Sequence, residues 1–229
     1  MNEKKLQLTE DGSYTIAIPA MHVTYHSKHG AIQESMHIFI RSGLDYCMNE
    51  NRHLHYSTVN IFEVGFGTGL NALLSLSEAI KRNQKINYQT IELYPLLPEE
   101  AAQLNYSFLV DEDLQQNFMA MHNCEWNKVI QIHPLFSFQK TKIDIQQFHS
   151  QQQFHAIYFD AFDPNTQPEL WRESIFIKMY NMLYENGILV TYCSKGIVQR
   201  AMKTTGFTIE KLHGPVGKRE IVRAIKKST

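Results

Sequence analysis

Val59-Asn-Ile-Phe-Glu-Val-Gly-Phe-Gly-Thr-Gly-Leu-Asn-Ala-Leu-Leu74 is the stretch from which the rest of the chain can be read. Val59, Ile61 and Phe62 are strand formers. Gly65, Gly67 and Gly69 alternate through the next five residues, and Leu70, Leu73, Leu74 and Leu76 then recur at helical spacing. The stretch predicts a strand, a glycine turn and the start of a helix. Residues without a Cβ admit positive φ and let a ligand approach the backbone closely. The helix that follows points its free N–H groups into the same space.

Two ligand classes suit such a turn. A dinucleotide would rest its pyrophosphate on the helix N-terminus, and Gly67-Thr-Gly-Leu-Asn-Ala72 satisfies a loose G-x-G-x-x-A. S-adenosylmethionine has no phosphate and would lay its methionine part along the turn. Glu63, two residues before the first glycine, would repel a pyrophosphate. It could hold a cationic amino group, directly or through water. E-x-G-x-G-x-G is the form this turn commonly takes in methyltransferases.

The chain around this stretch has 229 residues, 43% of them hydrophobic, which suits one α/β domain with a full core. A formal net charge of −1 gives no global basic field, so a polyanion binder of this composition needs a local basic face. Cys47, Cys124 and Cys193 are scattered without C-x-x-C spacing, as in a reducing cytoplasm. The polar start, Met1 to Glu10, is no signal peptide, and no apolar run reaches membrane-spanning length. His22, His26 and His29 lack a partnering cysteine, and no carboxylate follows before Glu34; a polar loop is expected there, with no metal.

Outward from the glycine turn, Leu6–Thr9 and Tyr14–Ile18 predict a hairpin turning at Gly12, and Gln33–Met48 predicts a helix. Both form an N-terminal extension, residues 1–50, expected to decorate a core of residues 51–229 within a single domain. The opening helix is expected to end near Arg82. Further strands are expected at Ile86–Glu92, Lys128–His133, Ser137–Ile143, Phe154–Asp160 and Ile188–Tyr192. Helices are expected at Glu99–Tyr106, Asp111–His122, around Gln146, at Glu169–Tyr184 closed by Asn186-Gly187, and at Gly196–Thr204. Phe207–Leu212 and Glu220–Ile225 read as a closing antiparallel pair. This alternation predicts a Rossmann-like, mostly parallel, doubly wound α/β sheet.

In such a sheet, ligands sit outside the carboxyl ends of the strands. Glu63, Glu92, Asp144 and Asp160 all fall at or just after a predicted strand end. Glu92 could accept from both ribose hydroxyls, and Asp144 from an adenine amino group. Phe159-Asp-Ala-Phe-Asp-Pro-Asn-Thr-Gln-Pro-Glu-Leu-Trp171 carries Asp160 into a loop stiffened by two prolines. Phe162 and Trp171 there could clamp a flat base, or they could cap the core.

These segments together resemble the methyltransferase domain of the bifunctional tRNA-modifying MnmC proteins and the stand-alone proteins made of that domain. The resemblance runs through Gly65–Asn71, Ile91-Glu-Leu-Tyr-Pro-Leu96, Asp144-Ile145, Tyr158–Trp171, Val190-Thr-Tyr-Cys-Ser-Lys-Gly196 and Lys218-Arg-Glu220. Ala161, Asp163 and Cys193 depart from the family's usual glycine, alanine and threonine, and Pro215-Val216 breaks its Gly-Phe-Gly-Arg run. The family's flavin-dependent oxidase half is expected to be missing, so no flavin is called for.

The resemblance implies a cytoplasmic, S-adenosylmethionine-dependent enzyme acting on tRNA. It would methylate the 5-aminomethyl group of a wobble (2-thio)uridine to 5-methylaminomethyl, and would depend on other enzymes for the amine. Cofactor contacts are expected from Glu63, Gly65, Gly67, Gly69, Glu92 and Asp144. Asp160 is expected to orient the amine and help its proton leave. Phe162, Trp171 and Tyr192 are expected at the base, and Lys218 and Arg219 at the RNA. Lys211, Arg223, Lys226 and Lys227, with Lys195, Arg200 and Lys203 on the preceding helix, add local basic charge. A methyltransferase of a small-molecule or protein amine, an NAD-dependent oxidoreductase and a non-catalytic RNA-binding module remain as alternatives.

Overall fold

The computed structural model describes residues 3–50 and 56–228. The start of the expected core, residues 51–55, lies outside them. The hairpin is present, as β1 (Lys5–Leu8) and β2 (Tyr14–Ile18), and a short third strand, β3 (Val23–Thr24), extends it into a separate antiparallel sheet. The helix expected at Gln33–Met48 is helical throughout but changes pitch. An α-helical turn, α1 (Ala31–Ser35), runs into a π-helix over Met36–Leu44 and then α2 (Asp45–Glu50). The Asp45 N–H bonds to the Ile40 carbonyl, five residues back, as that wider helix requires.

The core sheet follows. β4 (Thr58–Val64) leads through the glycine turn into α3 (Leu70–Lys81) and β5 (Lys85–Ile91). Three short helices, α4 (Pro98–Ala101), α5 (Tyr106–Val110) and α6 (Gln115–Asn123), precede β6 (Val129–His133) and β7 (Phe136–Thr141). The chain continues through β8 (Phe154–Phe159), α7 (Glu173–Met182), β9 (Leu183–Thr191), α8 (Gly196–Thr204), β10 (Thr208–His213) and β11 (Glu220–Ile225). The strand order is β10-β11-β9-β8-β4-β5-β7-β6. The five central strands are parallel, and both edges are antiparallel.

Three expected elements are corrected. The helix expected at Glu99–Tyr106 splits into the end of α4 and the start of α5, with residues 102–105 in neither. Asn186-Gly187 does not close a helix: α7 stops at Met182, and β9 starts at once, with Asn186 at φ 64° inside it. The register between β8 and β9 jumps there, from Phe154–Leu183 to Ala156–Ile188, so these residues bulge out of the strand. Around Gln146 there is a single turn rather than a helix: the Asp144 carboxylate accepts the Gln146 N–H at 2.8 Å, and the turn is not continued.

Strand alternation divides the core in two. Val59 and Ile61 face a cluster under α3 and the π-helix, while Phe62 and Val64 face a cluster under α7 and α8. The extension does more than decorate, since Ile16, Ala31, Ile38 and Phe39 belong to the first cluster. From β4 the chain moves outward to β5 and β7, then returns to the other side of β4 with β8. The reversal falls between β4 and β8, and it opens a crevice at their carboxyl ends.

Backbone bonds lace that rim. The N–H groups of Gly65 and Phe66 both reach the Ile91 carbonyl at 3.0 and 3.2 Å, and the Asp160 N–H reaches the Val64 carbonyl at 3.0 Å. Gly65 holds φ +91°, and a Cβ on it would meet the Asp160 carbonyl oxygen at 2.8 Å. Gly12 has a similar φ, +81°, with nothing within 4 Å of such a Cβ. Gly65→Ala is therefore expected to destabilise the protein by ~1–3 kcal/mol or more, and Gly12→Ala by less, since it carries the backbone strain alone. Urea unfolding of the two variants checks the order; equal losses would show that the rim tolerates a Cβ.

Candidate active site

The crevice is a cleft of about 1200 Å³. Its floor is the glycine turn and the ends of β4, β5 and β8. Its walls come from the extension, including Tyr25 and Glu34, and from the adjoining Phe162–Leu170 loop, Tyr192 and Lys218.

The turn is held from several sides. Glu92, just past β5, accepts the Gly67 N–H on Oε2 at 3.0 Å and the Tyr94 N–H on Oε1 at 2.8 Å. His26 bonds the Thr68 hydroxyl at 2.7 Å, and His122 approaches the Thr68 carbonyl at 3.2 Å. Burial pushes both imidazoles down to about 4, so both are neutral at neutral pH. The expected histidine-rich loop is thus partly a structural clamp; His29 bonds Glu10 instead, at 3.0 Å. Among the described residues, no group of three or more His, Cys, Asp or Glu is placed to hold a metal.

Of the expected cofactor residues, Gly65, Gly67, Glu92 and Asp144 line the cleft. Gly69 does not. It caps α3 at φ +76°, and a Cβ there would strike His122 Nε2 at 2.8 Å. Glu63 does not reach the cleft either. It lies on the α3 face of β4, in register with Thr90 of β5 and Tyr158 of β8, and is 0% exposed. The sequence places Glu63 one residue before the strand end, where alternation turns it under the sheet rather than outward.

Asp160 sits in the cleft floor, and its Oδ2 accepts from Asn71 Nδ2 at 2.9 Å. Burial, then the nearby Glu34 charge, pushes its pKa up to about 7, against the pull of the Asn71 bond and the Lys218 charge. Phe162 lines the cleft beside Tyr25, ring centroids 5.2 Å apart and edge-on. Tyr192 lines it too, its hydroxyl donating to the Ala161 carbonyl at 2.8 Å. Trp171 is a correction: it is 5% exposed, packs on Phe159 at 5.0 Å, and donates its indole N–H to the Phe162 carbonyl at 2.8 Å. The indole pins the loop from below, because its large apolar face is better buried and its one donor finds a backbone acceptor.

Lys218 is in the cleft wall, 3.2 Å from Glu34 and 4.7 Å from the Tyr192 ring centroid. Arg219 points outside the cleft, exposed and with no side-chain partner among the described residues. Tyr25, Glu34 and Asn71 are the site residues that sequence reasoning missed. Only Asn71 left a signal, as a polar residue inside the apolar run Leu70–Leu74.

Residues 112–227, just over half the chain, match the family described as S-adenosyl-L-methionine-dependent methyltransferase. The chain belongs to this family. It is also similar to the tRNA 5-methylaminomethyl-2-thiouridine biosynthesis bifunctional protein MnmC of Burkholderia multivorans, at 26% identity over 95% of this chain and 34% of that protein. The MnmC of Leptospira borgpetersenii is 26% identical over 86% of this chain and 31% of that protein. The chain thus spans about a third of the length of these relatives. The crystal structure of MNMC2 from Aquifex aeolicus superposes over 100% of this chain and 72% of that one, with TM-score 0.75 and 23% identity, and so shares its fold. The spermidine synthase of Thermotoga maritima shares it more loosely, with TM-score 0.57, 14% identity and coverage of 97% and 69%.

The cleft of this methyltransferase fits S-adenosylmethionine. Its glycine turn exposes backbone to the cleft, Glu92 and Asp144 offer acceptors at two strand ends, and the buried Asn71 Oδ1 has no protein partner. Glu92 ties down the turn, and each of its oxygens keeps a further lone pair open to the cleft. Glu92→Ala is expected to weaken S-adenosylhomocysteine binding by ~1.5–3 kcal/mol and to lower the melting temperature as well. Calorimetric titration with a parallel thermal melt checks both; unchanged affinity would remove Glu92 from the ribose.

Proposed function

We propose that this methyltransferase transfers a methyl group to the primary amine of a 5-aminomethyl group on the wobble (2-thio)uridine of tRNA, acting as one unit over residues 1–229. The reading rests on one observation above the others: Asp160, held near neutral pKa, lies in the cleft floor beside the glycine turn. The names of the MnmC relatives and the matching segments around Asp160 supply the substrate.

Gly65, Gly67, Glu92 and Asp144 would hold S-adenosylmethionine. When bound, it supplies the methyl as a sulfonium electrophile. The amine needs a free lone pair, yet a primary alkylamine is largely protonated at neutral pH. Asp160 accepts that proton or passes it to water, and fixes the nitrogen for in-line approach. Phe162 and Tyr25 form the aromatic side of the cleft against which a flat base can lie. Orientation supplies most of the acceleration, and proton removal adds a smaller factor. The amine is taken ready-formed on the tRNA, in the cytoplasm.

Asp160→Asn is expected to keep cofactor affinity and to slow single-turnover methylation of amine-bearing tRNA by ~10²-fold or more. In the wild-type protein the rate should rise through pH 7 as Asp160 ionises, and this limb should vanish in the variant. A cofactor-saturated variant with near-normal rate would take Asp160 out of the mechanism.

One observation favours a second reading, methylation of a small-molecule amine. Most expected RNA-binding cations are paired within the protein: Lys211 with Glu220, Lys218 with Glu34, Arg223 with Glu210, Lys226 with Glu185 and Lys195 with Asp163. Gel-shift of tRNA across a salt series separates the two. On the tRNA reading, Arg219→Ala flattens the log–log salt slope by about one; the absence of tRNA binding at low salt would favour the small amine.

A further inference from the structure

The Nδ2 of Asn71 carries two hydrogens and gives one to each of two carboxyl groups, Glu63 Oε1 at 3.0 Å and Asp160 Oδ2 at 2.9 Å. Turned over, the amide would set its oxygen between two acceptors, so the pair of carboxyls fixes its orientation. Asn71 stands in the first turn of α3, 2% exposed, with Oδ1 left unpartnered. Glu63 touches nothing in the cleft, yet one amide separates it from the residue that meets the amine.

We propose that Glu63 is a positioning residue for methyl transfer, acting on Asp160 through the Asn71 amide. The proposal rests on the reading of Asp160 given above. Full burial with no cation beside it favours Glu63 as a neutral acid. Glu63 Oε2 has no partner, and the Tyr88 hydroxyl and Thr90 Oγ1 nearby have none. Each hydroxyl can accept a proton from Oε2 or donate one to it, so hydrogen bonding suits either form; a bare carboxylate there would still be fully buried with no cation beside it.

The charged and titratable surroundings agree. Around Glu63 stand Tyr88 of β5, Tyr158 of β8 and Asp160, with no Lys or Arg among them. Burial first, then the Asp160 charge, holds Glu63 well above the usual carboxylate range, against the pull of Thr90, Asn71 and Tyr88. Around Asp160 stand Glu34, Lys218 and Tyr192. Asp160, with the Lys218 charge near it, is the better placed of the two to carry a negative charge, and that charge pushes Glu63 toward its neutral form. A neutral Glu63 holds the amide without adding a second negative charge beneath the base. That leaves one N–H on Asp160, enough to orient it and too little to make it a weak base.

Side-chain carboxyl ¹³C NMR of the free protein tests this, with Asp160→Asn and Glu63→Gln assigning the two signals. The Asp160 signal should titrate near 7 while Glu63 is still protonated. Glu63→Gln, which keeps a neutral acceptor for Asn71, should leave the Asp160 midpoint in place. Glu63→Ala frees the amide, so the midpoint should rise by about one unit, and the rising limb of the single-turnover pH profile should move with it. Glu63 ionising before Asp160, or a fall in the Asp160 midpoint in Glu63→Gln, would overturn the proposal. An unmoved Asp160 midpoint in Glu63→Ala would overturn it too; Glu63→Leu, which fills the space but offers Asn71 no acceptor, gives the same reading should the alanine variant fail to fold. Wild-type protein that methylates no amine-bearing tRNA would instead remove the substrate reading, while the titration still decides the coupling.

Discussion

The path of the backbone from Gly65 to Gly69 is the constraint on which the site depends. It requires positive φ at 65, 67 and 69, which no helix or strand supplies by itself. The turn is therefore held from outside: by the Ile91 carbonyl, by Glu92 on the Gly67 N–H, and by His26 and His122 on Thr68. These holders come from β5, from the extension and from α6. Each is remote in sequence from the glycines, so the turn has its shape only once the whole sheet and its extension are assembled. The same holders also define the cleft. Glu92 presents its carboxylate there because the Gly67 N–H ties it down, and Tyr25 reaches the turn because His26, its neighbour, is anchored in it.

The parts of this arrangement that were legible in the sequence are those carried by periodicity. The alternation in Val59–Val64, the helical leucines after Gly69 and the apolar run Phe154–Phe159 give the sheet, and each strand end then delivers an acid. Periodicity has a second consequence that is easily lost. A residue at the strand end faces the cleft, but one position earlier faces a core, and so Glu63 belongs beneath the sheet while Glu92 and Asp160 belong above it. Tyr25 and Glu34 were not legible because they reach the site from a sheet and helix outside the repeating pattern. Trp171 was misplaced for a related reason: an aromatic in a cleft loop can face either way, and here the Phe162 carbonyl decides.

The acids in and beneath the cleft floor differ in their surroundings, and the surroundings sort their work. Glu92 and Asp144, partly exposed, keep lone pairs available to hydroxyl and amino donors. Asp160, deeper and near Glu34, is poised to exchange a proton at neutral pH. Glu63, beneath the floor, has no solvent and no cation, and is held well above the usual carboxylate range. A single sheet edge thus yields acceptors, a base and a neutral acid from the same functional group, by burial and neighbouring charge alone.

Exposure sorts the cations in the same way. Lys211 and Glu220 are open to solvent, with 52% and 33% of their side chains exposed, and such pairs contribute only about 0–1 kcal/mol. A phosphate can replace the glutamate at little cost, so pairing does not remove Lys211 from an RNA face. The Lys218–Glu34 pair is different. It is 30% and 11% exposed, Glu34 also accepts the Ser27 N–H at 2.8 Å, and the ammonium lies over the Tyr192 ring. Drawing Lys218 out to a phosphate would strand a nearly buried glutamate beside Asp160 and raise the carboxyl's pKa further. The physics therefore keeps Lys218 in the wall of the cleft, tuning Asp160; under the proposed function, the phosphates of the tRNA would fall to Arg219 and the exposed lysines around it.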